Sequence, residues 1–211
     1  MFPDELRERL LGQGISRRVV EAMMTVPRDR FVPSRTSFRA WEDHAMSIGH
    51  GQTISQPTVV AIMTQAADIR RGDHVLDVGT GSGYQAAVLA ACGAHVHSIE
   101  RIPALADRAR ATLAELGLDV VVTCGDGAEG LAQEAPFDAI LVAAATPTVP
   151  PKLIEQLRRP GEGERGGRLV IPVGQPGAGF SQELVVLSQE ESGVGRRKLL
   201  DVVFVPLVWS G

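Results

Sequence analysis

At 211 residues the chain is long enough to bury a substantial core, and 44% hydrophobic with 22% charged residues is the balance of a soluble globular domain. A net charge of −4 argues against a general nucleic-acid binder, and no run approaches the ~18 apolar residues of a membrane span. Two cysteines without a C-x-x-C, Cys92 and Cys124, argue against a disulfide framework and fit a reducing cytoplasm.

The N-terminus, MFPDELRERL, is charged where a signal peptide needs an apolar run, so a cytoplasmic protein is expected. Leu6, Leu10 and Leu11, then Val19, Val20, Met23 and Met24, recur at helical spacing and predict helices over 4–12 and 16–26. Pro27 and Pro33 break the pattern, and 34–53, with Gly49, Gly51 and several polar residues, reads as an ordered loop. A helix is expected to begin at 55–57 and run to Ile69. Regular α/β alternation follows, with strands at 74–79, 95–99, 120–124, 138–143 and 168–173 and helices at 82–92, 103–117, 127–133 and 150–158. FDAILVAA (137–144) is apolar on both faces, as a central parallel strand should be. QELVVLSQ (182–189) and RRKLLDVVFVPLV (196–208) form a hairpin-like pair. PGEGERGG at 160–167 has the composition of a mobile surface loop, and PGAGF at 176–180 that of a flap.

The most informative segment is HVLDVGTGSGY (74–84), an apolar strand running into a turn with Gly79, Gly81 and Gly83 at alternate positions. Such a turn lets the backbone approach a ligand, and the helix after it aims free N–H groups at the same place. Glu100 ends the next strand, where a carboxylate accepts hydrogen bonds from both hydroxyls of a ribose; Asp126 follows the third strand, within reach of an adenine amino group. These features describe a nucleoside site. The dinucleotide fingerprint G-x-G-x-x-G requires a glycine where this chain has Tyr84, which disfavours a nicotinamide cofactor. A hydrophobic-Asp-x-G-x-G-x-G pattern starting at Asp77, with the two later acids, resembles the S-adenosylmethionine-dependent methyltransferases. That resemblance implies a doubly wound, mostly parallel, seven-stranded Rossmann-like sheet with an antiparallel C-terminal strand. It also implies one domain, with a helical and substrate-loop extension over 1–71 and the α/β core over 72–211.

VPRDRFVP (26–33), AMSIGHGQTISQP (45–57), PFDAILVAAATPTVP (136–150) and GGRLVIPVG (166–174), with QELVVL (182–187), closely resemble the protein-L-isoaspartate O-methyltransferases. The match covers nearly the whole chain in order. It implies methylation of the free α-carboxylate of isoaspartyl residues in damaged proteins and peptides, which initiates repair through a succinimide. A carboxylate is already ionised at pH 7, so no strong base is required. The resemblance assigns Ser55 the active-site role, its hydroxyl orienting the acceptor; the alternative is an N-cap at Ser55-Gln56-Pro57. It further implies cofactor contacts from Gln52, Thr53, Ile54, Ser55, Asp77, Gly79, Thr80, Gly81, Ser82, Glu100, Asp126, Gly127 and Gln182, and substrate contacts from Ile48, Gly49, Val173 and Gly174. The partners implied are isoaspartyl proteins and peptides, with no nucleic acid and no membrane, and a monomer is expected. A methyltransferase acting on a small molecule or RNA is the competing reading.

The 160–166 connection is longer by roughly five residues than the family's P-G-G turn, an addition that costs little in loop-closure entropy. His95 and His97 share a strand face and would suit a metal pair, but no third ligand is evident nearby and no metal is expected. Cys124 reads as core packing.

Overall fold

The computed structural model describes residues 3–161, 165–175 and 181–208. Its helices and strands, in chain order, are α1 (Pro3–Gly12), α2 (Arg17–Thr25), β1 (Met46–Gly49), β2 (Gln52–Ile54), α3 (Pro57–Ala67), β3 (His74–Val78), α4 (Tyr84–Ala91), β4 (His95–Glu100), α5 (Pro103–Glu115), β5 (Val120–Cys124), β6 (Ala139–Val142), α6 (Pro151–Glu155), β7 (Arg168–Val173), β8 (Gln182–Glu190) and β9 (Gly193–Val202). Strands β3 to β9 form one sheet in the order β5-β4-β3-β6-β7-β8-β9. Pairings from β5 across to β7 are parallel, and those of β7 with β8 and β8 with β9 are antiparallel. This is the doubly wound, mostly parallel seven-stranded sheet expected.

Burial explains the residue choice. All four side chains of β6 are buried, because layers cover both faces of a central parallel strand. The edge strand β9 instead carries Arg196, Arg197 and Lys198, charges that discourage further strand pairing. Helix α5 buries Leu105, Ala106, Ala109 and Leu113 on one stripe. The N-terminal helices are continuous with this core: Leu6, Leu10, Val20 and Met23 cluster with Tyr84, Ala87 and Val88 of α4 and Leu105 of α5. Each such side chain contributes about 1.5–3 kcal/mol on burial.

The chain adds β4 and β5 on one side of β3, then returns to lay β6 on the other. The loops leaving β3 and β6 therefore diverge, which opens a crevice at the carboxyl ends of the strands.

The structure departs from several expectations. Residues 34–53 are not one loop: Ser34–Arg39 forms a 3-10 turn, and β1 and β2 make an antiparallel hairpin. Its reversal uses positive φ at Gly49 (92°), His50 (54°) and Gly51 (72°). No helix spans 127–133; two 3-10 turns, Gly127–Glu129 and Ala132–Glu134, stand there. The Gln156 side chain replaces the missing helical bonds, accepting from Leu131 N–H (2.8 Å) and donating to Glu129 C=O (2.8 Å). Helix α6 is shorter than 150–158, since Leu157 joins an isolated bridge with Phe137. Strand β9 stops at Val202, and the segment after it crosses back, with Ala145 N–H donating to Val205 C=O (2.8 Å) and Leu207 N–H to Ala145 C=O (2.7 Å). The flap expected at 176–180 and residues 162–164 of the 160–166 insertion lie outside the described residues. Arg165, at the end of that insertion, pairs with Asp73 and with Asp68 (3.1 Å). No described helix is long and apolar enough to cross a membrane.

Candidate active site

The crevice is a cleft of about 880 Å³. Gln52 to Ser55 of the hairpin exit, Val78 to Ser82 of the glycine turn, Ile99 to Ile102, Gly127, Ala143, Ala144 and Val205 to Val208 form its walls. Most of the expected cofactor residues are therefore brought together: Gln52, Thr53, Ile54, Ser55, Gly79, Thr80, Gly81, Ser82, Glu100 and Gly127 all line it.

Glu100 is 6% exposed at the end of β4. Its Oε2 accepts from Gly81 N–H (2.9 Å) and its Oε1 from Ile102 N–H (2.9 Å). Two backbone donors fix the carboxylate plane while leaving each oxygen a lone pair toward the cleft. Gly81 can present its N–H this way because its φ is +54°, where a side chain is strained. At Gly127 the constraint is space, since a Cβ would lie 2.5 Å from Val78 Cγ1.

Asp77 does not line the cleft; it is fully buried beneath the turn. Ser98 Oγ donates to its Oδ2 (2.8 Å) and also contacts Thr80 Oγ1 (2.5 Å), while Oδ1 has no partner among the described residues. Burial pushes its carboxyl up to about 7, the Ser98 hydrogen bond opposes the rise, and the charge of Glu100 adds to it. Asp126 also stands beside the cleft rather than on its wall, its Oδ1 capping the 3-10 turn through Ala128 N–H (3.0 Å).

Ser55 is not the cap of α3. Gln56 occupies that position without a side-chain bond, and the work is done from a distance by Asp43, which accepts from Thr58 N–H (2.9 Å) and Thr58 Oγ1 (2.7 Å). The Ser55 hydroxyl is thereby released from a structural duty. Its backbone is held instead by Arg28, a wholly buried arginine whose Nη2 donates to Ser55 C=O (2.6 Å) and Nε to Ala40 C=O (2.7 Å). The guanidinium lies 4.5 Å from the centroid of the Tyr84 ring. Burial lowers the Arg28 pKa, and Tyr84 and Asp43 oppose that. Burial likewise pushes the Tyr84 hydroxyl up to about 12. Arg28 sits inside the VPRDRFVP segment, but sequence marks no arginine as buried, and neither its role nor that of Tyr84 is readable there.

A second groove adjoins the cleft and shares Thr53, Ser55 and Ala143 with it. Ala45, Val59, Ser181 and Leu200 to Phe204 complete it. These groove residues were not expected from sequence, since 196–208 reads there as continuous strand. The four expected substrate residues line neither space. Ile48 is buried, its Cδ1 packed under Gly81 and its carbonyl bound by Arg108 (2.8 Å); Gly49 turns the hairpin. Val173 bridges Thr146, and Gly174 N–H donates to Thr146 C=O (2.9 Å). Gln182 is fully buried and bonds backbone on both sides, to Gln175 C=O (3.1 Å) and from Phe204 N–H (2.8 Å), so it anchors the groove segment from behind.

Two smaller expectations change. Cys124 is exposed rather than in the core. The nearest ring to His97 is His74, at 5.0 Å between centroids, and His95 is exposed.

A model of the protein-L-isoaspartate(D-aspartate) O-methyltransferase family matches residues 3–210. Among curated proteins, a protein-L-isoaspartate O-methyltransferase of Methanoculleus marisnigri is 47% identical, covering 100% of this chain and 93% of its own. One from Gloeobacter violaceus is 48% identical, covering 95% of each. A solved protein-L-isoaspartate O-methyltransferase superposes with a TM-score of 0.83 at 25% identity, over 97% of this chain; the chain spans 65% of that longer protein. A Plasmodium falciparum structure described as a beta-aspartate methyltransferase in complex with S-adenosyl-L-homocysteine superposes at 0.79 and 24% identity over 97% of both chains, which speaks for the shared fold. This chain belongs to the protein-L-isoaspartate(D-aspartate) O-methyltransferase family.

Proposed function

We propose that the protein transfers a methyl group from S-adenosylmethionine to the free α-carboxylate of L-isoaspartyl residues in damaged proteins and peptides, the first step of their repair. The observation that carries this reading, beside family membership, is the junction at Ser55, a residue that lines both the cleft suited to a nucleoside and the adjoining groove that can take a peptide. The residues present fit the cofactor, because a buried carboxylate with both oxygens preset stands beside a glycine turn in a largely apolar cleft.

When bound, S-adenosylmethionine supplies an activated methyl group on a sulfonium centre. Glu100 would accept the ribose hydroxyls, Gly79 to Ser82, with Asp77 beneath them, would hold the methionine portion, and Gly127 with Asp126 beside it would flank the adenine. Gln52 to Ile54 would cover the methionine end. The acceptor carboxylate arrives ionised, so no side chain has to remove a proton. Ser55 donates its hydroxyl to the acceptor and sets its line of approach, while Arg28 fixes the backbone that carries Ser55. Ile99 and Leu207, which pack beside Gly127, make the apolar wall at the adenine end of the cleft. Positioning of this kind supplies on the order of 7–11 kcal/mol of a barrier.

We read residues 1–71 as part of one domain with 72–211, on the strength of their shared core. The chain works as a monomer, since one copy carries both cleft and groove, and it acts on protein rather than nucleic acid in the cytoplasm, where its two unpaired cysteines are at home.

The test is methyl transfer from labelled S-adenosylmethionine to one peptide made in isoaspartyl and aspartyl forms. Transfer to the isoaspartyl form alone is expected. Transfer to neither, with cofactor binding intact, would remove the substrate assignment.

A further inference from the structure

We infer that His74, His97 and Glu134 form a binding site for one divalent first-row metal ion, with Zn2+ the best match, away from the cofactor cleft. A ligating atom from each of the three lies within 4.8 Å of the others. None of them lines the cleft or the groove.

The register explains the convergence. Leu76 pairs with His97 in the parallel ladder of β3 and β4, so His74, two residues earlier on the same strand, shares the face of His97. That face is packed with Leu76, Val78, Ile99 and Phe137. Glu134 ends the second 3-10 turn of the β5–β6 connection, with its Oε2 3.7 Å from His97 Nε2. Two imidazoles and one carboxylate are a donor set for Zn2+ that leaves a fourth position for water.

His74 Nδ1 lies 3.3 Å from the Pro136 carbonyl oxygen, which only accepts, so Nδ1 is the donor there and Nε2 is the ring nitrogen left to ligate. A carbonyl behind the ring is the outer support that metal-binding histidines use. The His74 backbone is pinned as well, its N–H donating to Asp138 Oδ2 (2.8 Å), and its ring packs on Phe137 at 4.7 Å between centroids.

Metal–ligand bonds of about 2.0–2.1 Å at tetrahedral angles put ligand atoms roughly 3.3 Å apart. Separations of up to 4.8 Å need as much as about 1.5 Å of closure. Glu134, whose side chain is 46% exposed on a short turn, can move toward the two rings. The bound ion ties the two strands that lead into the glycine turn and Glu100 to the connection that begins at Asp126.

The test uses the full chain, stripped with a chelator and titrated with Zn2+ alone by calorimetry, then with Co2+ followed by its visible absorption. Saturation at one Zn2+ per chain is expected, with a raised melting temperature and a tetrahedral Co2+ spectrum. His97→Ala, His74→Ala and Glu134→Gln should each weaken binding about tenfold or more, while His95→Ala and Cys124→Ser leave it unchanged. Glu134→Gln changes an exposed side chain and keeps the fold testable if a histidine variant unfolds. No saturable binding at millimolar Zn2+, or binding that survives Glu134→Gln and His97→Ala, overturns the site.

Discussion

The two halves of the active site are built in opposite ways. The floor of the cofactor half is local: the turn Gly79–Gly83 and Glu100 come from consecutive strand–helix units, and their contacts follow from the parallel register of β3 and β4, while Gln52 to Ser55 and Val205 to Val208 close it from afar. The groove half is assembled from distant pieces, with Ala45 and Thr53 from the N-terminal hairpin region and Val202 to Phe204 from the end of β9. Ser55 belongs to both. A site made by adjacent segments tolerates loss of distant packing, whereas one made by remote segments depends on buried anchors such as Arg28 and Gln182.

The largest effect should come from the local half. On the proposed placement of the cofactor, Glu100→Ala removes two charge-assisted ribose contacts; it also deprives the N–H groups of Gly81 and Ile102 of their carboxylate partner. Hydrogen bonds to charged groups contribute about 1.5–3 kcal/mol each, so affinity for S-adenosylmethionine should fall about a hundredfold or more in a binding titration. Unchanged affinity would break the comparison at its stronger side.

Arg28→Met tests the remote half. It strips the partners from the carbonyls of Ala40 and Ser55, and each buried unpaired group costs about 1–3 kcal/mol. A melting temperature lower by about 10 °C is expected, with kcat reduced more than cofactor affinity. Arg28→Lys should recover part of the stability.

Asp77 gives the local half a pH signature. Its folded pKa, about 7, stands above the 3.8 of the free side chain, so the folded protein binds this proton more tightly than the unfolded chain. That stabilisation is fully present below about pH 4 and is lost as pH rises to about 7, on the order of 1.4 kcal/mol for each tenfold difference in proton affinity. Denaturant melts across this window should show stability of the cofactor-free protein declining for the native chain, and a flatter profile for Asp77→Asn.

Val203→Ala is the mildest change. Val203 is 73% exposed on the groove wall, so the variant should raise KM for an isoaspartyl peptide a few-fold with kcat unchanged.

What the sequence made legible follows the same division. The alternation of strands and helices from His74 onward was readable because apolar runs and turn residues are local signals. That the glycine turn and Glu100 line one cleft was readable because the ends of neighbouring parallel strands come together. The hairpin at 46–54 was missed because its strands of four and three residues are too short for a pattern. The helix expected at 127–133 failed because Gln156, from a later segment, supplies its hydrogen bonds. Whether Ser55 caps α3 was open from Ser-Gln-Pro alone; Asp43, twelve residues upstream, takes that duty through a long-range contact no local pattern shows. Arg28 was invisible because nothing local says that an arginine between two prolines will be buried.

The most direct test is Ser55→Ala on an isoaspartyl peptide, with kcat and cofactor affinity measured separately. Loss of one orienting donor should lower kcat by about tenfold to a thousandfold, while affinity for S-adenosylmethionine stays within about threefold of the native value. An unchanged kcat would contradict the claim that the two halves of the site meet in the Ser55 hydroxyl.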